Sequence, residues 1–277
     1  AYPIDNPQPT IHIRPRQFHI TLALLSTPCT WPPRLYSDSD DLSRICSNMA
    51  ANFWTSNHCK SLLTRESLRD CHSRDRALGL TDDQIRSIKS FHTLAISDMA
   101  KNLKLRQRVT GTAVTYFRRF YTRNCFADKD PRLVAQACLY LASKAEECPA
   151  QVLRVKQCVD ARQKRVGTLN IQEFSIKEVL DYELHVLEEL DFNLVVFSPY
   201  RPLVGMCKDA QLPQEMIDKA WAIVNDLYYT DLPLLHAPYM LAIGAICMAA
   251  TISSWDISKW MSELKVDVNQ VYEITME

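Results

Sequence analysis

Glycine is nearly missing from this chain: 5 residues in 277, about 2% where ~7% is ordinary. Gly79, Gly111, Gly167, Gly205 and Gly244 lie far apart, so no glycine-rich loop cradles a phosphate. P-loop and dinucleotide-binding fingerprints are excluded. A charge excess is missing too. Lys and Arg number 32 and Asp and Glu 32, so no global field draws the chain to nucleic acid or to a membrane surface. None of the ten cysteines forms a C-x-x-C pair, a pattern that reads as free thiols of a reducing compartment. The grouping His58-Cys59 with Cys71-His72 is the nearest thing to a zinc set, but adjacent side chains rarely chelate one ion together. No metal and no cofactor are expected. Neither H-E-x-x-H nor G-x-S-x-G occurs, and the glutamate pairs 146–147 and 188–189 are neighbours that point apart on a helix. The chain carries no catalytic constellation.

Long apolar runs are scarce as well. The one candidate, Leu232 to Trp255, holds 24 residues without Asp, Glu, Lys or Arg. Pro233, His236 and Pro238 interrupt its start, leaving too little of the ~20 residues a spanning helix needs. Asp231 and Asp256 flank it without a positive cluster at either end. A helix buried all round is the better account.

Residues 1–48 differ from the rest. They hold seven of the 14 prolines and a single short apolar run, "ITLALL". That composition predicts disorder, or translated sequence upstream of a start at Met49; Arg14, Arg16 and Arg34 with few acids also fit a transit peptide. From Met49 onward the pattern is helical, with no convincing alternating strand. Thr81-Asp82-Asp83 starts a helix on which Ile85, Ile88, Phe91, His92 and Ala95 recur at helical spacing. A second helix spans about 106–124. Asp130 caps a third that has Pro131 at its first position. Ser175 and Glu178 form a capping box for a helix running to about Asp191. Further helices fall within "SPYRPLVGMCKDA", "QEMIDKAWAIVNDLYY", "PYMLAIGAICMAATIS" and "DISKWMSEL".

An internal repeat orders these elements. Ala113, Tyr121 and Pro131 recur as Ala220, Tyr228 and Pro238 at a constant offset of 107 residues. Ala135 then meets Ala242, Leu139 meets Ile246, Ala142 meets Ala249, and Leu141 meets Met248. The shared phase predicts two similar all-α repeats in tandem.

Two charges stand out on the helical wheel. In the helix from Pro131, Val134, Ala137, Cys138, Leu141, Ala145 and Cys148 form an apolar stripe, and Lys144 lies at its edge in the last turn. Glu146 and Glu147 follow, where the helix dipole disfavours them. In the helix from Ser175, Ile176, Val179, Leu180, Val186, Leu187 and Leu190 surround Glu183, which sits at the centre of the apolar face. An unpaired carboxylate there costs several kcal/mol, so Glu183 is paired internally or stands where the face reaches a surface. Lys144 recurs as Thr251 in the second repeat. A requirement of the fold should recur in both copies, whereas a binding function need not.

"FRRFY" at 117–121, "YLASKAEE" at 140–147 and "VLDYELHVLEELDF" at 179–192 resemble the cyclin box. "NFW" at 52–54, "LKLRQRV" at 103–109, "SPYRPL" at 198–203 and "AWAIVNDLYYTDL" at 220–232 resemble the cyclin C branch of that family. The resemblance implies an all-α fold of two five-helix cyclin boxes preceded by a short helix and a disordered N-terminal prefix. Its divisions would be a prefix 1–48, an N-terminal helix and linker 49–80, a first box 81–195 and a second box 196–277. The chain stops about eleven residues into the last helix of the second box, which would leave Val268, Val271 and Ile274 with part of their packing missing. The resemblance further implies a non-catalytic regulator that activates a cyclin-dependent kinase of the Mediator complex, alongside other subunits of the Mediator kinase module. It would act in the nucleus on RNA polymerase II transcription. The kinase would be held by Lys144 and Glu183, with Ala145 and Leu184 beside them. One family feature is missing: the nearest stretch to the M-R-A-I-L-type substrate patch is "IKSFH" at 88–92.

A rival class rests on a basic run. Between Met99 and Ala127 lie Lys101, Lys104, Arg106, Arg108, Arg118, Arg119 and Arg123 and no acid. Transcription factors of the TFIIB type use the same fold to grip DNA. The plainer account is a solvated basic face balanced by the acidic helix at 173–191.

Overall fold

The computed structural model describes residues 52–166, 174–264 and 266–277, all within one unit, Ala51–Glu277. The proline-rich prefix lies outside the described residues, so the expectations placed on it are untouched. Helices appear where the sequence signals put them, and no strand occurs among the described residues. A single 3-10 turn at Phe53–Thr55 comes first, then three short helices: α1 (Asn57–Lys60), α2 (Arg65–Asp70) and α3 (Ser73–Ala77). The first five-helix repeat follows as α4 (Asp82–Asn102), α5 (Gln107–Arg123), α6 (Pro131–Ala145), α7 (Val152–Val166) and α8 (Ile176–Glu189). The second comprises α9 (Tyr200–Asp209), α10 (Gln214–Leu227), the single turn α11 (Leu232–Leu235), α12 (Pro238–Ile252), α13 (Ser258–Glu263) and α14 (Val268–Met276).

The caps act as their residue types require. Thr81 with Gln84, and Ser175 with Glu178, close reciprocal capping boxes on α4 and α8. Asp130 accepts from the Arg132 N–H, with Pro131 at the first helical position of α6.

The 107-residue offset holds in three dimensions. α5 and α10 both begin at a glutamine, Gln107 and Gln214, and α6 and α12 are the same length in register. Ala113 and Ala220, Tyr121 and Tyr228, Ala135 and Ala242, Leu139 and Ile246, and Ala142 and Ala249 are all buried in one continuous core. Met248 is the exception: Leu141 is buried, whereas Met248 is only half-buried. The helix stops repeat as well. Lys104 and Gln211 are left-handed, as are Glu147 and Ser254. At each stop the following N–H reaches back to a carbonyl in the last turn: Leu105 to Ala100, Leu212 to Cys207, Cys148 to Ser143, Trp255 to Ala250. This is the Schellman arrangement that glycine usually completes. In a chain with almost no glycine, ordinary residues occupy the left-handed position at a cost of about 1–2 kcal/mol each.

Glycine is kept where helices touch. A Cβ on Gly111 would stand 2.6 Å from Cζ of Tyr228, and one on Gly244 would stand 2.5 Å from Cγ2 of Ile274. Gly111 thus admits the second repeat against α5, and Gly244 admits α14 against α12. The latter corrects an expectation: Val271 and Ile274 are buried, and only Val268 is exposed. α4 differs from its wheel too. Its buried face runs through Ile85, Lys89, His92, Thr93, Ile96 and Met99, while Phe91 is exposed beneath the Arg162 guanidinium. The apolar stretch from Leu232 divides into α11 and α12 and is largely buried; no described helix is long and apolar enough to cross a membrane.

Candidate functional site

α6 and α8 pack closely side by side, and their contact brings together the two charges picked out on the wheel. Lys144 Nζ pairs with Glu183 Oε1 and also lies 4.5 Å over the Tyr140 ring. The pair is one-sided: the Glu183 side chain is 8% exposed and that of Lys144 is 43% exposed. Glu183 lies between Val179 and Val186, both buried. The carboxylate thus lies in the packed face while its cation stands at the surface. Ala145 and Leu184, named with this pair, are exposed, Leu184 to 62%. Leu180, one turn before Leu184, is exposed as well. Ala145, Cys148 and Leu180 therefore leave the apolar stripes the wheel assigned them. The reason is geometric: α6 ends at Ala145, and α8 turns only its Val179–Glu183–Val186 edge fully inward.

The two glutamates after Lys144 are outside the helix. Glu146 is its C-cap and Glu147 takes the left-handed turn; Glu146 stands at the negative end of the helix dipole, and side chains of α5 offset this. The Thr112 hydroxyl donates to Glu146 Oε1 at 2.7 Å, and Arg108 Nε stands 2.6 Å from Oε2. The corner that presents Lys144 is thereby tied to α5. The signal in the sequence was the Arg108–Thr112 spacing, one turn of α5, but nothing in it pointed 34 residues ahead.

Sequence reasoning missed a second charged centre. Arg118, read as part of a basic face, is 2% exposed. It donates to the carbonyls of Tyr228 (3.2 Å) and Tyr229 (2.7 Å) and pairs with Asp231. Lys89 pairs with the same carboxylate at 2.9 Å. Burial pushes the Asp231 carboxyl up, but Arg118 and Lys89 outweigh it and hold the group below its ordinary value. Burial lowers Lys89 and Arg118, with Asp231 opposing in both. Of the rest of the basic run, Arg108 pairs with Glu146 and Arg123 with Asp191. Three of the seven basic residues are thus committed to carboxylates of this chain, while Lys101, Lys104 and Arg106 are exposed.

The suspected zinc residues have other partners. His72 Nδ1 meets Asp75 at 2.9 Å, and Asp75 also accepts from the Cys125 thiol and the Phe126 N–H. His58 Nδ1 accepts from the Phe197 N–H at 2.9 Å. Among the described residues no three His, Cys, Asp or Glu groups could hold a metal ion, and the described cysteines are free.

The sequence matches the family model "Cyclin, N-terminal domain" over residues 56–195. It is 45% identical over 233 residues to Cyclin-C1-1 of Oryza sativa subsp. japonica, covering 83% of this chain and 88% of that protein. To Cyclin-C of Rattus norvegicus it is 34% identical over 231 residues, covering 82% and 81%. Among solved structures, a chain of the yeast TFIIK (Kin28/Ccl1/Tfb3) complex superposes with a TM-score of 0.61 at 19% identity, covering 81% of this chain and 99% of that one.

Proposed function

This chain belongs to the cyclin family, whose members are regulatory subunits of kinases rather than enzymes, and we propose that it is a cyclin C-type activator of a Mediator-type cyclin-dependent kinase. It acts in the nucleus, with other subunits of the Mediator kinase module, on transcription by RNA polymerase II. Similarity to Cyclin-C proteins over most of the chain supports this reading. Its working parts are an N-terminal helical segment (49–80), a first box (81–195) that holds the kinase, and a second box (196–277).

The observation that carries the reading is the one-sided pair of Lys144 and Glu183. A self-satisfied internal strut would bury both partners. Here the ammonium stands out at a helix end beside Ala145 and Leu184, where another protein's anions and apolar groups reach it. A kinase is idle until its αC helix swings inward and sets a glutamate against the ATP-binding lysine. A cyclin that binds only the inward state shifts the population toward it. Lys144 and Glu183 do no chemistry; they set the register of docking, with Leu184 as an apolar anchor.

The test is Lys144→Glu. The new carboxylate is hydrated, but the change strips buried Glu183 of its counter-ion and lowers the melting temperature, so binding is measured below the variant's own melt, where circular dichroism shows it folded. At the interface it sets like charge beside Glu183 and the kinase anion, costing on the order of 2–5 kcal/mol, a loss of about 30- to 4,000-fold in affinity. A folded variant that still activates the kinase at wild-type concentration would sink the proposal.

A further inference from the structure

A cavity of about 680 Å³ opens between α2, α4 and the turn after α10, with α14 along its far side. Its floor is unusual in charge. The Lys89 and Arg118 side chains are 6% and 2% exposed, and both lean on the single carboxylate of Asp231. Two buried cations share one anion. Arg118 spends its other donors on the Tyr228 and Tyr229 carbonyls and the Thr93 hydroxyl. Lys89 has three N–H donors, and among the described residues its side chain makes one hydrogen bond, to Asp231.

Two further cations line the cavity. Arg65 is met by Glu273 at 3.7 Å and Glu277 at 3.1 Å, and Arg86 by Asp83 at 3.6 Å. Asp83 and Glu273 are well exposed, at 90% and 53%, so water and salt screen them, while Glu277, the closer partner of Arg65, is 33% exposed. The floor is shielded from water, and an excess buried cation is strongly unfavourable until an anion compensates it. Desolvation of Lys89 points the same way.

We infer that this cavity is a docking site for a phosphorylated side chain of a partner protein, with Lys89 at the floor and Arg65 and Arg86 at the rim donating to the phosphate oxygens. A phosphate monoester brings three strong acceptor oxygens and nearly two negative charges. That matches three cations converging from two helices better than a carboxylate does. Arg65 exchanges Glu273 and Glu277 for the phosphate. Tyr272 and Met276, exposed apolar residues of α14 that line the same cavity, suit the peptide on either side. The site is separate from the Lys144–Glu183 corner and does not depend on the kinase reading.

The full chain is titrated calorimetrically with a phosphoserine peptide flanked by alanines, its unphosphorylated form, its glutamate analogue and inorganic phosphate. The phosphopeptide should bind at least roughly tenfold tighter than any of the other three, with affinity falling as salt rises. Arg65→Gln and Arg86→Gln, both on exposed side chains, should each weaken it by roughly tenfold, about 1.4 kcal/mol. Lys89→Gln should abolish it; if that variant fails to fold, the two arginine variants still decide. Equal binding of the glutamate or unphosphorylated peptide would overturn the inference. So would inorganic phosphate binding as tightly as the peptide, which marks an ion site only, or arginine variants that bind like the parent.

Discussion

Arg118 in α5 and Asp231 in the turn after α10 meet at 2.5 Å, joining the first repeat to the second across 113 residues of chain. Neither partner can be removed alone. Asp231→Asn leaves Lys89 and Arg118 buried without their counter-ion and should destabilise the protein by about 3–5 kcal/mol in a urea titration. Arg118→Lys should not rescue Arg118→Leu, because an ammonium cannot span the Tyr228 and Tyr229 carbonyls and the carboxylate together. The pH dependence has a definite sign. The Asp231 carboxyl is held below its ordinary value in the folded state, so its contribution is complete above the unfolded value of about 3.9 and is lost as pH falls through the lower folded one. Asp231→Asn should therefore show a flatter acid limb than the parent below about pH 4. A limb of equal slope would mean that the carboxylate is solvated.

Two histidines give a second pH effect in a higher window. Burial, with Arg119 adding to it, lowers His58 to about 3, and burial lowers His92 to about 4. His58 Nδ1 must stay unprotonated to accept the Phe197 N–H. The unfolded chain takes up these protons near pH 6.5 and the folded chain refuses them, so stability is whole above about pH 6.5 and declines below it. The slope is at most about 1.4 kcal/mol per pH unit for each histidine. Urea midpoints at about pH 7.5 and about pH 5 should differ, and His92→Phe should shrink the difference. Identical midpoints would show that neither ring is buried neutral.

The glycine shortage yields a stabilising prediction and a destabilising one. Gln211 holds a left-handed stop at φ 51°. Gln211→Gly should raise stability by roughly 0.5–1 kcal/mol, the relief of left-handed strain less the backbone entropy glycine adds. Gly111→Ala should lower it by about 1–3 kcal/mol, because its Cβ lands on the buried Tyr228 ring. If both alanine and glycine variants shift the thermal midpoint in the same direction, the account of where this chain needs glycine is wrong.

Much of the fold was legible because its signals are local. The Thr81 and Ser175 boxes, Asp130 ahead of Pro131, and the 107-residue phase from Ala113 to Ala249 act within a turn or repeat unchanged along the chain. The site was legible in part. Glu183 at the centre of an apolar face announced that it needed a partner, and Lys144 at the end of α6 was an available one. Other readings failed for an equally physical reason. Arg118 looked like one charge in a basic run, Lys89 drew no reading of its own, and Glu146 looked like an ill-placed acid in a helix. Each has its partner on another element, 142 residues away for Lys89 and 34 for Glu146.

By itself the sequence determined that this chain is all-α, where its helices start, and that it carries two repeats in register. Caps, prolines and apolar spacing act over one or two turns, whatever surrounds them. Only the tertiary structure decided which charges are buried and which are offered. It placed Arg118 and Lys89 on one carboxylate between the repeats, and it left the ammonium of Lys144 at the surface above a buried Glu183. Desolvation of a charge depends on every element that closes over it, and those elements come together only when the two repeats fold onto one core.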